Sequence, residues 1–252
     1  MSLKLRYLYR AYRYRYRVDP AELRFVCASL NRGQVAVDIG CHKGAYTYWM
    51  RRRVGPTGAV FAFEPQPRQV AYLRDVCLAM RYDNVSLVPK AVSNIVGQLP
   101  LHVPAGAGST HAASLENGKA LSSPGNILQV DVTTLDAFFS DRPQKPDFLK
   151  IDVEGHELAV LEGANHVLST CRPAILVECE ARHRADGNVR TVFELLQSHG
   201  YDGSFLEDGR RRPLDEFDPT VHQRLIAEDN RLPPGYVNNF AFEHPTKTRA
   251  KQ

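Results

Sequence analysis

From residue 34 onward, short apolar runs alternate with segments whose apolar residues recur every three or four positions. The runs "QVAVDIG" (34–40), "GAVFAFEP" (58–65), "NVSLVPKAVS" (84–93), "ILQVDV" (127–132), "DFLKIDVEG" (147–155), "PAILVEC" (173–179) and "YVNNFAFEH" (236–244) read as strands. Between them, "AYTYWMRRRV" (45–54), "RQVAYLRDVCLAM" (68–80), "HELAVLEGANHVL" (156–168) and "VRTVFELLQSHG" (189–200) carry the helical period, the last ended by Gly200. Pro65 stops the second strand at Glu64. The alternation predicts a mostly parallel α/β sheet with helices on both faces. Ligands bind such sheets at the carboxyl ends of strands, where strand order reverses. Asp38 to Gly44, Glu64, Asp152 to His156 and Glu178 then share one rim.

Residues 94–126, rich in Gly, Ala, Ser and Pro, interrupt the pattern and predict a hairpin with a long loop that serves as a lid or acceptor loop. Three segments follow: an N-terminal arm and helix (1–33), a main domain (34–244) and a flexible basic tail (245–252). In the arm, alternation of Tyr and Arg from Tyr12 to Arg17 permits a strand with one aromatic face, whereas a helical reading puts Leu5, Leu8, Tyr12 and Tyr16 on one side. In "VDPAELRFVCASL" (18–30) a helix begins, with Asp19 as cap and Pro20 in its first turn.

Charge divides the chain unevenly. Residues 1–17 hold six basic residues and no acid, so with a net charge of +4 the remainder stands at −2. An arm of Arg and Tyr suits nucleic acid, an anionic membrane surface, or packing of the tyrosines on the domain. The acidic body argues against nucleic acid. Five widely spaced cysteines without a C-x-x-C suggest neither a zinc site nor a disulfide framework, and point to a reducing, cytoplasmic setting. No apolar run is long enough for a membrane span, and the first residues lack the features of a secretory signal.

"VDIGCHKGAYT" (37–47) is a strand, a glycine turn and a helix start, but its glycines, Gly40 and Gly44, do not match the dinucleotide fingerprint. They allow a tight turn and close approach of a ligand, and the helix N-terminus that follows favours an anion. Glu64 is placed to accept two ribose hydroxyls. Asp38 would repel a pyrophosphate and attract an amine. Ribose, amine and carboxylate together describe S-adenosylmethionine better than a nicotinamide cofactor. In "LKIDVEGHEL" (149–158), Asp152 ends a buried strand, and such a charge is costly unless paired or used. His156 is suited to take a hydroxyl proton near neutral pH, Glu154 is the other base candidate, and either reads equally well as part of a helix start.

Together with "FAFEP", "AVSN", "TTLD", "ILVE" and "YVNNFAF", these stretches resemble the FkbM family of S-adenosylmethionine-dependent methyltransferases over residues 34–243. The resemblance implies a Rossmann-like class I methyltransferase fold, with a seven-stranded, mostly parallel sheet and an antiparallel last strand. It implies methylation of a hydroxyl on a sugar, glycan or secondary metabolite. By position, Asp38, Gly40 and Gly44 would line the methionine moiety, Glu64 the ribose, and Asp152 the methyl group, with Asp131 reaching toward the adenine and His42 also among the cofactor-binding residues. Asp152, Glu154 and His156 are the catalytic candidates. Related folds sometimes hold a divalent ion on acids at these strand ends, and Asp152 and Glu178, with Glu154 or His156 as a further ligand, could make such a magnesium site. Two other readings stay open: a nucleic-acid methyltransferase using the arm, and a non-catalytic cofactor-binding protein. Oligomer formation through the arm is also open.

Overall fold

The computed structural model describes residues 1–105, 113–115, 125–207, 209–224 and 233–249. Its main sheet has eight strands: β1 (Val35–Ile39), β2 (Ala59–Phe63), β3 (Val85–Val88), β7 (Phe148–Ile151), β8 (Ala174–Glu178), β9 (Asp202–Glu207), β10 (Arg210–Pro213) and β11 (Asn239–Glu243). Their order is β10-β9-β11-β8-β7-β1-β2-β3. β1 pairs in parallel with β2 and β7, and β7 with β8, whereas β11 runs antiparallel to both β8 and β9. Strand order therefore reverses between β1 and β7, which opens a crevice at their carboxyl ends.

The eighth strand departs from the expected seven. Residues 202–213 form a β9–β10 hairpin that extends the sheet edge, in a stretch whose charged residues hide any alternation. The segment 84–93 also divides. Pro89 lacks the N–H a ladder needs, so β3 ends at Val88 and β4 (Ala91–Val92) joins a separate small sheet. That sheet, β4-β6-β5, is built from the predicted hairpin, β5 (Gly97–Pro104) with β6 (Gly125–Thr133). The lid expectation rests largely on 106–112 and 116–124, which lie outside the described residues.

Helices α3 (Ala45–Val54) and α4 (Pro67–Met80) follow the expected pattern. The helix expected at 156–168 is shorter. α6 (Glu157–Glu162) stops at Gly163, where an added Cβ would lie 2.1 Å from the Ser93 carbonyl oxygen. Two apolar cores flank the sheet. On one face Val37, Ile39, Leu149, Ile151 and Val177 meet α6 and α7 (Arg190–Ser198); on the other Ala36, Phe148 and Leu176 meet α2 (Pro20–Ser29) and α3.

The arm is helical and packed. α1 (Leu3–Arg13) buries Tyr7 and Ala11, and the Trp49 indole N–H donates to the Ala11 carbonyl at 2.9 Å. Tyr7 hydroxyl donates to the Gly44 carbonyl at 3.1 Å. The buried face is thus not the expected one: Leu5, Tyr12 and Tyr16 stay exposed. Asp19 stands at the start of α2 without capping it by its side chain; its carboxylate accepts from the Tyr46 hydroxyl at 2.9 Å. Residues 245–249 form a helical turn, α9, where a free tail is expected.

Candidate active site

β1 ends at Ile39, and the chain turns through Gly40 in the left-handed region, φ +78°. A Cβ there would sit 1.9 Å from the Asp152 carbonyl oxygen, so the β1–β7 rim closes only around a glycine. His42 is also left-handed, and its backbone N–H donates to Glu64 Oε2 at 2.9 Å. The Gln66 N–H donates to Glu64 Oε1, again at 2.9 Å. Burial pushes the Glu64 carboxyl up to about 7, against the pull of those two N–H groups. Gly44, φ +74°, opens α3, and a side chain there would strike Leu73 at 2.8 Å. A cavity of about 740 Å³ runs along this turn, with Asp38, Gly40, His42 and Glu64 in its wall.

Beyond the turn, strand alternation gathers charge on one face. Asp38 and Lys150 are register partners on β1 and β7. Asp152 lies two residues past Lys150, and Glu178 ends β8 on the same face. Lys150 Nζ is 2.8 Å from Asp152 Oδ2 and 4.7 Å from the centre of the Tyr46 ring. Burial alone would lower the lysine pKa, but Asp152, Asp38 and Glu178 together raise it. Burial raises Asp38, opposed by Lys150 and by the Thr47 hydroxyl, which donates to Asp38 Oδ2 at 2.5 Å. Burial, with the charge of Asp152, holds Glu178 well above the usual carboxylate range, and Asn238 Nδ2 donates to its Oε1 at 2.7 Å.

The magnesium expectation finds no support here, and Lys150 stands against it. An ammonium already neutralises Asp152 and faces Glu178, and a divalent ion would have to displace it or be repelled by it. Among the described residues no three His, Cys, Asp or Glu side chains converge in a way that could hold a metal ion.

The remaining candidates separate. Glu154 lines the cavity, with a left-handed backbone at φ +52° beside Gly155 at +103°. Its Oε2 lies 2.6 Å from His183 Nδ1, and the Ser114 hydroxyl donates to its carbonyl at 2.6 Å. Burial would lower His183, but Glu154 raises it further. His156 is turned away: the left-handed step at Glu154 and Gly155 swings it under the small sheet, where its Nε2 is 2.9 Å from Ser93 Oγ. It does not line the cavity, and that corrects its candidacy as base. Asp131 is likewise outside. It is exposed on β6 and accepts from Gln98 Nε2 at 2.9 Å.

Sequence reasoning missed Lys150, Tyr46 and His183. It also missed the arm's contribution, for Arg10, Tyr14, Asp19 and Glu22 form a wall of the same cavity. A lysine inside an apolar strand, one residue before Ile151 and two before Asp152, was the signal for the first.

The Methyltransferase FkbM domain family matches the chain over residues 38–202, which takes in the glycine turn, Glu64, Lys150, Asp152 and Glu178. The chain belongs to the FkbM methyltransferase family. It is 26% identical over 181 residues to Methyltransferase 1 of Beauveria bassiana, covering 66% of this chain and 71% of that protein. It is 27% identical over 181 residues to 2-O-methyltransferase NoeI of Sinorhizobium fredii, covering 65% and 71%. Methyltransferase FkbM from Methylobacillus flagellatus shares the fold at a TM-score of 0.51 and 16% identity, over 85% of this chain. The chain spans 44% of that protein's length. No helix among the described residues is long and apolar enough to cross a membrane.

The residues of this FkbM domain fit S-adenosylmethionine. Asp38 is among the residues lining the cavity, and its fully buried Oδ1 has no hydrogen-bond partner among the described residues, a cost of about 1–3 kcal/mol that an ammonium donor would relieve. Gly40 leaves no room for a side chain, and Glu64 is fixed from behind by two backbone donors.

Proposed function

We propose that this FkbM domain transfers a methyl group from S-adenosylmethionine to a hydroxyl of an uncharged, polyhydroxylated acceptor: a sugar, a glycan or a polyol-like secondary metabolite. The observation that carries the reading is the chamber beyond the glycine turn, where Asp152, Glu178, Asn238, Tyr46 and Asp19 meet in one cavity. Carboxylates and amides accept and donate to hydroxyls, and tyrosine rings cover the apolar faces of a sugar. Phosphate-bearing acceptors are disfavoured by the same acids. The relative named as a 2-O-methyltransferase supports oxygen as the acceptor atom.

When bound, the cofactor supplies a methyl group on a positively charged sulfur. Asp38 would hold its ammonium and Glu64 its ribose diol, while Gly40 allows the backbone to approach. Asp152, fixed by Lys150, presents a carboxylate to the transferring centre and to the acceptor hydroxyl. Glu154 takes the hydroxyl proton on its carboxylate as the new carbon–oxygen bond forms, and His183 Nδ1 orients that carboxylate. Asn238 and Glu178 align neighbouring hydroxyls. Docking the acceptor against these groups and Tyr46 removes water from the reaction.

The test is methyl transfer by the full chain to a panel of neutral oligosaccharides and polyols, polynucleotides and amines, read as S-adenosylhomocysteine released. Release with a neutral hydroxylated acceptor, unaffected by a chelator, is expected. Release only with polynucleotide, or cofactor binding with no release for any acceptor, would favour the nucleic-acid or the non-catalytic reading. Loss of turnover on chelation would reinstate a metal.

A further inference from the structure

The face of α1 that points away from the body carries a stripe the methyl-transfer chemistry does not use. Leu5, Tyr9, Tyr12 and Tyr16 recur at helical spacing, and each stays open to solvent at 57%, 61%, 42% and 67% exposure. The stripe runs for about 16 Å along the helix and the turn after it. Lys4, Arg6, Arg13 and Arg17 flank it, all exposed, and residues 1–18 contain no acid. The neighbouring end of α3 adds Arg52 and Arg53, also exposed. The stripe is anchored from beneath: Tyr12 stacks on Tyr16 at 6.1 Å and meets the Trp49 ring at 5.2 Å, while Arg15 lies 5.6 Å over the same indole.

A row of tyrosines with an apolar leucine, bordered by cations, matches the chemistry of a lipid headgroup layer. Tyrosine rings sit with their bodies in the acyl boundary and hydroxyls in the headgroups, and each Lys or Arg near the surface is drawn to anionic lipid. We propose that α1 is an interfacial docking helix that holds this protein on an anionic membrane surface. Arg10 and Tyr14 turn inward from the same segment to line the cavity, so the docking helix is also part of the cavity wall. A second copy of the chain is a poor occupant, because two such faces would bring two acid-free basic rows together. A polynucleotide would match the charge, but it has no acyl layer to take up Leu5, which is 57% exposed in the middle of the basic face.

Co-sedimentation of the full chain with vesicles tests this without any acceptor, so its failure is distinct from failure of the methyl-transfer reading. The probes are phosphatidylcholine vesicles and vesicles with a third of that lipid replaced by phosphatidylglycerol. Binding to the anionic vesicles alone is expected, weakened by raised salt. The Arg6→Gln/Arg13→Gln/Arg17→Gln variant should lose about 100-fold in partitioning, and Tyr9→Ser/Tyr16→Ser about tenfold, with unchanged circular dichroism. Equal binding to both vesicles, binding to neither, or wild-type binding by the tyrosine variant would overturn the proposal. Tighter retention of a single-stranded polynucleotide than of the anionic vesicles would also overturn it, as would a dimer that the tyrosine substitutions dissolve.

Discussion

The two halves of the cavity are built in opposite ways. The cofactor half comes from one stretch, residues 38–66, and is held by backbone: Gly40 against the Asp152 carbonyl, and Glu64 between the N–H groups of His42 and Gln66. The acceptor half is assembled from segments far apart in sequence: Tyr14 to Glu22, Tyr46, Lys150 to Glu154, Glu178 and Asn238. It is held by side-chain charge, with Lys150 among Asp38, Asp152 and Glu178. Backbone geometry tolerates little change, whereas a balance of side-chain charges can be rearranged to suit a new acceptor.

The sharpest way to break the contrast is to remove the cation. In Lys150→Met, the buried Asp38 and the half-buried Asp152 and Glu178 lose the ammonium that compensates them, and stability should fall by about 3 kcal/mol. Urea unfolding reads this as a lower midpoint. An unchanged midpoint would mean that the acceptor half does not depend on charge balance.

Asp152→Asn should separate the halves functionally. Methyl transfer is expected to drop roughly 10²–10³-fold, while cofactor affinity stays within a few-fold of wild type. Comparable losses in both would place Asp152 on the cofactor side instead.

A smaller effect is the pH dependence that Glu64 brings to cofactor binding. Glu64 is raised to about 7 by burial, so it is ionised above that pH and protonated below it. Only the carboxylate accepts from both hydroxyls of a diol, so affinity should fall about tenfold per pH unit below about 7. The same raised pKa contributes stability to the unligated protein that is fully present below the ordinary value of 4.5 and lost as pH rises through about 7. Titration calorimetry across pH 5 to 9 checks the first; a flat profile would show that Glu64 does not meet the ribose.

The same division explains what the sequence made legible. Gly40, Gly44 and Glu64 stand out because each meets a local backbone demand that few residue types satisfy, and the strands of the central sheet are long enough to show apolar runs. The acceptor half depended on contacts across the chain. Lys150 was concealed by its apolar neighbours, and its meaning emerges only when β1 and β7 are set in register, opposite Asp38. His156 was misplaced because the left-handed step at Glu154 rotates the chain, and a period-based reading assumes no such step. The arm's helical face was offset because burial is chosen by Trp49 and Tyr48, which lie on another element. The β9–β10 hairpin went unseen because its strands carry Asp202, Glu207 and three arginines, and pairing with β11 overrides their poor pattern.

The central claim is that a sulfonium nucleoside binds at the carboxyl edge of the sheet with its ribose on Glu64. Titration calorimetry of S-adenosylmethionine against the wild type and Glu64→Ala tests it most directly, with circular dichroism verifying that both are folded. Loss of two charge-assisted hydrogen bonds should weaken binding by roughly 100-fold or more. Equal affinity in the two folded proteins, or no binding by the wild type, would contradict it.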